Sequence, residues 1–80
     1  MFLEIVTPAK KVFEGEVSAV TFPGVDGQFQ VLNDHAPLVS TLKAGQMKYK
    51  NGKGESTIEI TGGVVEVLHN KVIVLADGLT

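Results

Sequence analysis

The chain has 80 residues, 44% of them hydrophobic and 20% charged, with a formal net charge of −2; this is the composition of one small globular domain and excludes a disordered tail. It contains no Cys, which removes disulfide frameworks and thiolate metal sites. All seven basic residues are Lys, so a mildly acidic chain without Arg lacks both the basic footprint and the planar fork with which proteins grip nucleic acid.

The opening residues MFLEIVTPAKK have neither a positively charged start nor a long apolar core, and no apolar run approaches membrane-spanning length. The chain is therefore expected to be soluble when isolated. Phe2 to Val6 reads as a first strand, closed by Thr7-Pro8 because the residue before Pro is driven to extended geometry. Lys10 to Glu14 follows, with Val12 and Phe13 on opposite faces, and Gly15 is expected to break it. Val17 to Phe22 alternates again, Val20 and Phe22 sharing a face opposite Ala19.

From Pro23 to Val39 the chain concentrates its turn chemistry: two Pro, two Gly, an Asp-Gly pair and the run Asn33-Asp34-His35 surround one short apolar strand, Phe29 to Leu32. Gly opens backbone angles that other residues resist, Pro fixes φ, and Asn and Asp tolerate the left-handed region, so this segment has a specified path suited to presenting a surface. Pro37 to Leu42 is a further apolar run. Gln46 to Lys50 sets Met47 and Tyr49 against Gln46, Lys48 and Lys50 with period two. Asn51-Gly52-Lys53-Gly54 predicts a tight hairpin with Asn51 and Gly52 at its central positions. Ser56 to Thr61 returns with Ile58 and Ile60 inward, Gly62-Gly63 separates it from Val64 to Leu68, and His69-Asn70 turns into Val72 to Ala76. Short strands with turn signals roughly every 8 to 12 residues predict an all-β fold, a compact antiparallel β-sandwich of about ten short strands filling residues 1–80 as one domain.

Candidate chemistry is sparse. Asp34, His35 and Ser40 hold the residue types of a hydrolase triad, but Asp34 and His35 are neighbours in a turn and no nucleophile elbow precedes a helix. Glu14 and Glu16 read as solvated carboxylates rather than an acid–base pair, since nothing apolar between them separates their pKa values. His35 and His69 lack further ligands for a zinc site. The glycines at 24, 27, 62 and 63 open no helix that would aim amides at a phosphate. Lys48, Lys50 and Lys53 face Glu55 and Glu59 on the expected partner strand, which makes a charge-balanced solvated face. His35, flanked by rigid turn residues, reads first as a structural residue and second as a polar tip offered to a partner. No catalytic residue, cofactor, metal or small-molecule substrate is expected.

Several motifs together carry a resemblance. Leu3-Glu4-Ile5-Val6-Thr7-Pro8, Phe13-Glu14-Gly15-Glu16-Val17, Pro23-Gly24 with Gly27 and Phe29, Val31-Leu32, His35-Ala36-Pro37-Leu38, Thr61-Gly62-Gly63-Val64-Val65-Glu66-Val67 and Asn70-Lys71-Val72 through Asp77 resemble, in order and spacing, the epsilon subunit of F-type ATP synthases. The resemblance implies a non-catalytic rotor subunit that packs on the gamma subunit of the central stalk while one end rests on the polar loops of the c-ring, passing torque between ring and stalk. It places the chain in a peripheral complex at the cytoplasmic face of a bacterial inner membrane, with no direct membrane insertion. Position by position, Asp26, Gly27, Gln28 and Phe29 are expected to face the c-ring, and Thr7 with His35, Ala36, Pro37, Leu38, Val39 and Ser40 the gamma subunit. The chain departs from the usual family pattern at Gln28, often acidic, at Gln30, usually Gly, and at Asn33-Asp34, usually Pro-Gly. Family members commonly continue into a helical hairpin that inhibits ATP hydrolysis; a chain stopping at Thr80 is expected to assemble and couple without that inhibition. The other reading of the residues is a freestanding β-module that binds a protein through the Pro23 to Val39 segment.

Overall fold

A computed structural model describes residues 1–52 and 54–80. Nine strands run through them: β1 (Phe2–Val6), β2 (Lys11–Glu16), β3 (Ala19–Gly24), β4 (Gly27–Leu32), β5 (Leu38–Leu42), β6 (Gly45–Asn51), β7 (Gly54–Ile60), β8 (Gly63–Leu68) and β9 (Lys71–Ala76). They form one continuous ladder, β2-β1-β9-β8-β5-β3-β6-β7, with β4 paired to the other side of β3. The ladder folds over on itself between β5 and β3, where a single antiparallel bridge joins Gly24 to Leu42. Val25 donates its N–H to Thr41 and Lys43 donates its own to Pro23 across this seam, at 3.2 and 2.9 Å. On one side lies a leaf β2-β1-β9-β8-β5, on the other a leaf β4-β3-β6-β7. The all-β sandwich expected from the sequence is thus present.

The alternation in each strand decides which face turns inward. Leu3 and Ile5 on β1, Val65 and Val67 on β8, and Val72 and Val74 on β9 are buried from the first leaf. Val20 and Phe22 on β3, Val31 on β4, and Met47 and Tyr49 on β6 meet them from the second, and all belong to one apolar cluster. The leaves touch directly where the Phe13 ring of β2 lies 4.5 Å from the Tyr49 ring of β6, centroid to centroid. Within the second leaf Phe22 and Phe29 pack cross-strand at 5.3 Å. Burying each large apolar side chain contributes roughly 1.5 to 3 kcal/mol, and for a domain this small these inner faces are the main source of stability.

Four details differ from the expectation. All but one of the extended pairings are antiparallel, but β1 pairs with β9 in parallel, Phe2 beside Lys71 through Val6 beside Leu75. Parallel neighbours require a long connection, and here most of the chain supplies it. Gly15 does not break β2; it pairs with Leu3, and the irregularity falls at Val12, an extra residue between Ile5–Phe13 and Val6–Lys11. That bulge lets consecutive Val12 and Phe13 both pack against the core. Val17, expected in a strand, instead lies in the β2–β3 connection, donating its N–H to Met1 at 2.9 Å. Finally, the β6–β7 ladder pairs Asn51 with Gly54, so Asn51 ends the strand and Gly52, at φ 61°, lies beyond it. Lys53, expected in this turn and in the lysine face, lies outside the described residues.

The β8–β9 hairpin achieves the corresponding geometry without glycine: His69 and Asn70, the two residues between paired Leu68 and Lys71, have φ of 50° and 60°. Positive φ at both loop positions is the geometry of a type I′ turn, whose twist matches that of the strands.

Two glycine substitutions separate backbone strain from steric exclusion. A Cβ at Gly52 would meet no atom within 4 Å, so Gly52→Val pays only for a branched residue at positive φ. It is expected to lower unfolding free energy by about 1 to 3 kcal/mol in chemical denaturation. At Gly63, with φ 151°, a Cβ would collide with the Leu75 carbonyl across the ladder. Gly63→Ala is therefore expected to destabilise more than Gly52→Ala in the same measurement, although the added group is identical.

Candidate functional site

The outward faces of the two leaves have opposite character. On the second leaf, Gln28, Gln30 and the exposed Leu32 of β4, Thr21 of β3, Gln46, Lys48 and Lys50 of β6, and Glu55, Thr57 and Glu59 of β7 point outward. Lys50 stands opposite Glu55 and Gln46 opposite Glu59. This is the expected charge-balanced solvated face.

On the first leaf the outward positions are Val39 and Thr41 of β5, Val64, Glu66 and Leu68 of β8, Lys71, Ile73 and Leu75 of β9, and Phe2, Glu4 and Val6 of β1. The register gathers them into rows. Thr41, Val64, Leu75 and Val6 lie side by side, as do Val39, Glu66, Ile73 and Glu4. Val39 is 69% exposed, Leu75 55%, Leu68 46% and Val64 38%. Scattered surface apolar residues are ordinary, but an apolar row of Val64, Leu75 and Val6 on three neighbouring strands, with Val39 and Leu68 exposed near it, marks an interaction surface. Its β2 margin is polar: Lys11 bonds Glu4 and Glu14 at 3.2 Å each. Those carboxylates, Glu14 first and then Glu4, hold the Lys11 amine above its ordinary pKa.

The residues singled out from the sequence divide between the leaves. Asp26 lies in the turn between β3 and β4, and Gly27 (φ 126°), Gln28 and Phe29 open β4. All are exposed except Phe29, whose ring is half-buried against Phe22. Thr7 follows β1; its hydroxyl accepts from the N–H of Ala9 and Lys10 at 3.3 and 3.2 Å and so fixes the turn into β2. With Val6, Pro8, Leu75, Ala76 and Asp77 it lines a groove at one corner of the first leaf's apolar stripe. Val39 belongs to the same outer face, while alternation turns Leu38 and Ser40 the other way, Leu38 packing against the core. His35, Ala36 and Pro37 form the loop leading into β5. The structure thus gathers Thr7 and Val39 on one leaf and sets Asp26 to Phe29 on the other.

That loop is held by its polar residues. Asp34 adopts φ 61°, the left-handed conformation its side chain tolerates, and donates its N–H to Asn70 Oδ1 at 2.9 Å. Asn33 Oδ1 accepts from the Met1 amino group at 2.7 Å, and that amino group also donates to the Val17 carbonyl at 3.1 Å. Asn33-Asp34 therefore ties the loop to the β8–β9 turn and to the start of β1. His35 Nδ1 lies 2.7 Å from the Ala36 carbonyl and Ser40 Oγ donates to the Thr41 carbonyl at 3.4 Å, so neither is bonded to the other or to Asp34. The triad of residue types is not an assembled triad. Among the described residues, no three of His, Cys, Asp and Glu converge on a metal position. Among the described residues no helix is long and apolar enough to cross a membrane.

Sequence reasoning missed Val6, Val64, Ile73 and Leu75 as surface residues, although a signal was present. GVVEVL in β8 and KVIVLA in β9 are apolar at outward as well as inward positions. In an antiparallel layer with one solvated face such runs should alternate with polar residues, and failure to alternate signals a second covered face.

Comparison with known proteins bears on what covers it. The family model for the β-sandwich domain of the ATP synthase delta/epsilon chain matches residues 1–80. An ATP synthase epsilon chain of Chlorobium limicola is 44% identical over 79 residues, which cover 98% of this chain and 90% of that one. One from Dehalococcoides mccartyi is also 44% identical, over 75 residues, but there the match takes up 54% of the relative. Among solved structures, a chain in the central stalk and c-ring of the Tetrahymena thermophila mitochondrial ATP synthase superposes with a TM-score of 0.82 at 23% identity, over 99% of this chain and 64% of that one. The match over every residue, joined to the two-leaf fold, establishes that the chain belongs to the ATP synthase delta/epsilon chain family and forms its β-sandwich domain.

Proposed function

We propose that the protein is a non-catalytic subunit of the central stalk of a rotary ATP synthase, docked on the gamma subunit through the outer face of β5, β8, β9 and β1. The observation that carries this reading is the set of exposed side chains Val39, Val64, Leu68 and Leu75 on one face, beside half-buried Val6 and Ile73, which a solitary two-leaf domain has no reason to expose. Thr7 and the His35 to Pro37 loop border that face, in keeping with the assignment of both to the gamma side. The β3–β4 hairpin, with Asp26, Gly27, Gln28 and Phe29, is directed to the c-ring. Its exposed polar residues suit the polar loops of a ring, and the Phe22–Phe29 contact stiffens its base. In this role the chain transmits rather than catalyses: ion flow turns the ring, and the sandwich passes the rotation to the stalk at the membrane face of the complex. The relatives named as ATP synthase epsilon chains, and the fold shared with a chain of a central-stalk assembly, support the reading.

Calorimetric titration of the chain into the purified gamma subunit of the same source tests it. A saturable one-to-one complex is expected. An absence of binding with both partners folded would overturn the proposal and leave a freestanding interaction module. Leu75→Asp and Val39→Asp are expected to abolish the heat of binding while changing the unfolding free energy of the isolated chain by no more than about 0.5 kcal/mol, because both side chains are exposed. Val74→Ala, on the same strand as Leu75 but buried, is expected to cost about 1 to 3 kcal/mol.

A further inference from the structure

The apolar face of the first leaf contains one charge that its surroundings do not explain. Glu66 lies on β8 between outward-facing Val64 and Leu68, with Val39 of β5 and Ile73 of β9 as its cross-strand partners. Its neighbours on the face, along the strand and across it, are therefore apolar. The other carboxylates on this leaf have partners: Glu4 and Glu14 bond Lys11 at 3.2 Å, and Glu16 lies 3.6 Å from the Met1 amino group. Glu66 forms no ion pair among the described residues. Lys71, one row away, is turned over the Phe2 ring, its Nζ 5.8 Å from the centroid. A shallow depression lined by Glu66, Leu68, His69, Lys71 and Ile73 opens beside the carboxylate.

In the isolated chain Glu66 is exposed and solvated. Once an apolar surface covers the stripe, water is stripped from a carboxylate ringed by Val and Ile, which is strongly unfavourable unless the partner supplies the missing charge. A second copy of this chain is a poorer source: Lys71, the cation beside Glu66 on this face, is already turned over its own Phe2 ring, and laying the face on itself along β8 or β9 sets Glu66 against Glu66 or Glu4, where like charges repel.

Resting on the docking reading above, we infer that Glu66 is the charged anchor of this face, and that the partner presents an apolar surface carrying one Arg or Lys that reaches the Glu66 carboxylate. The pair sets the register of docking, since a stripe of aliphatic side chains alone would tolerate sliding along the sheet.

The test titrates Glu66→Gln, Glu66→Lys and Leu75→Asp chains into the gamma subunit of the same source, each at two salt concentrations. Glu66→Gln is expected to weaken binding roughly tenfold or more and to flatten its salt dependence, and Glu66→Lys to weaken it further. Melting temperatures of the free chains, read alongside, are expected to stay near that of the parent because the side chain is exposed. If Glu66→Gln binds like the parent with the same salt dependence while Leu75→Asp does not bind, the face docks but Glu66 is not its anchor, and the inference is overturned. If Leu75→Asp also binds like the parent, the docking reading itself has failed and this inference falls with it.

Discussion

A β-sheet has two faces, and a sandwich of two leaves covers only one face of each. Everything distinctive about this molecule follows from how it treats the two faces left over. The second leaf solves the problem with chemistry that water accepts, Gln, Thr, Lys and Glu, with Lys50 set opposite Glu55. The first leaf leaves Val39, Leu68 and Leu75 substantially exposed. The second leaf exposes Leu32 at the end of β4, but the first leaf gathers its exposed apolar side chains on neighbouring strands, and clustered apolar area on a small domain suits a covered surface.

The interior is arranged so that this face stays in shape. Phe13 and Tyr49 bind the leaves together on the β2 side, the Gly24–Leu42 bridge closes the seam between β5 and β3, and the Asn33-Asp34 loop is hydrogen-bonded to both the β8–β9 turn and the start of β1. Cores packed at crystal-like density transmit displacement with little loss. A subunit proposed to carry rotation from a ring to a stalk needs that property more than it needs reactive groups, and Asp34, His35 and Ser40 bond to Asn70 and to neighbouring carbonyls rather than to one another.

Much of the fold was legible because period-two alternation is a local signal. Met47 and Tyr49, Val20 and Phe22, and Ile58 and Ile60 point where alternation says they must. What was not legible is mostly non-local. No property of Phe2 to Val6 says that its parallel neighbour is Lys71 to Ala76, and the bulge at Val12 depends on that strand's pairing with β1. The hairpin shifted by one residue because Asn51 is used as the last rung of the ladder, leaving Gly52 to take the positive φ. The site was half visible. Thr7 and Val39 were reached through family resemblance, whereas the apolar runs of β8 and β9 were read only as strands, with no face assigned, although alternate residues of each are exposed. The relation between leaves, not the strands themselves, decides which half is inside.

The parallel pairing of β1 with β9 also bears on how the molecule comes into being. During synthesis, the strand made first must wait for the strand made last before the middle of its leaf can close, because β9 sits between β1 and β8. Until then β1 and β2 can form only a two-stranded hairpin, which is marginal in water. The long separation in sequence makes that closing step slow relative to the local hairpins. A ribosome-bound chain halted before Lys71 would hold the second leaf's strands with Leu3 and Ile5 still uncovered by their β9 neighbours, so nascent molecules spend their most adhesive interval with the inner face of the first leaf open as well as the outer one.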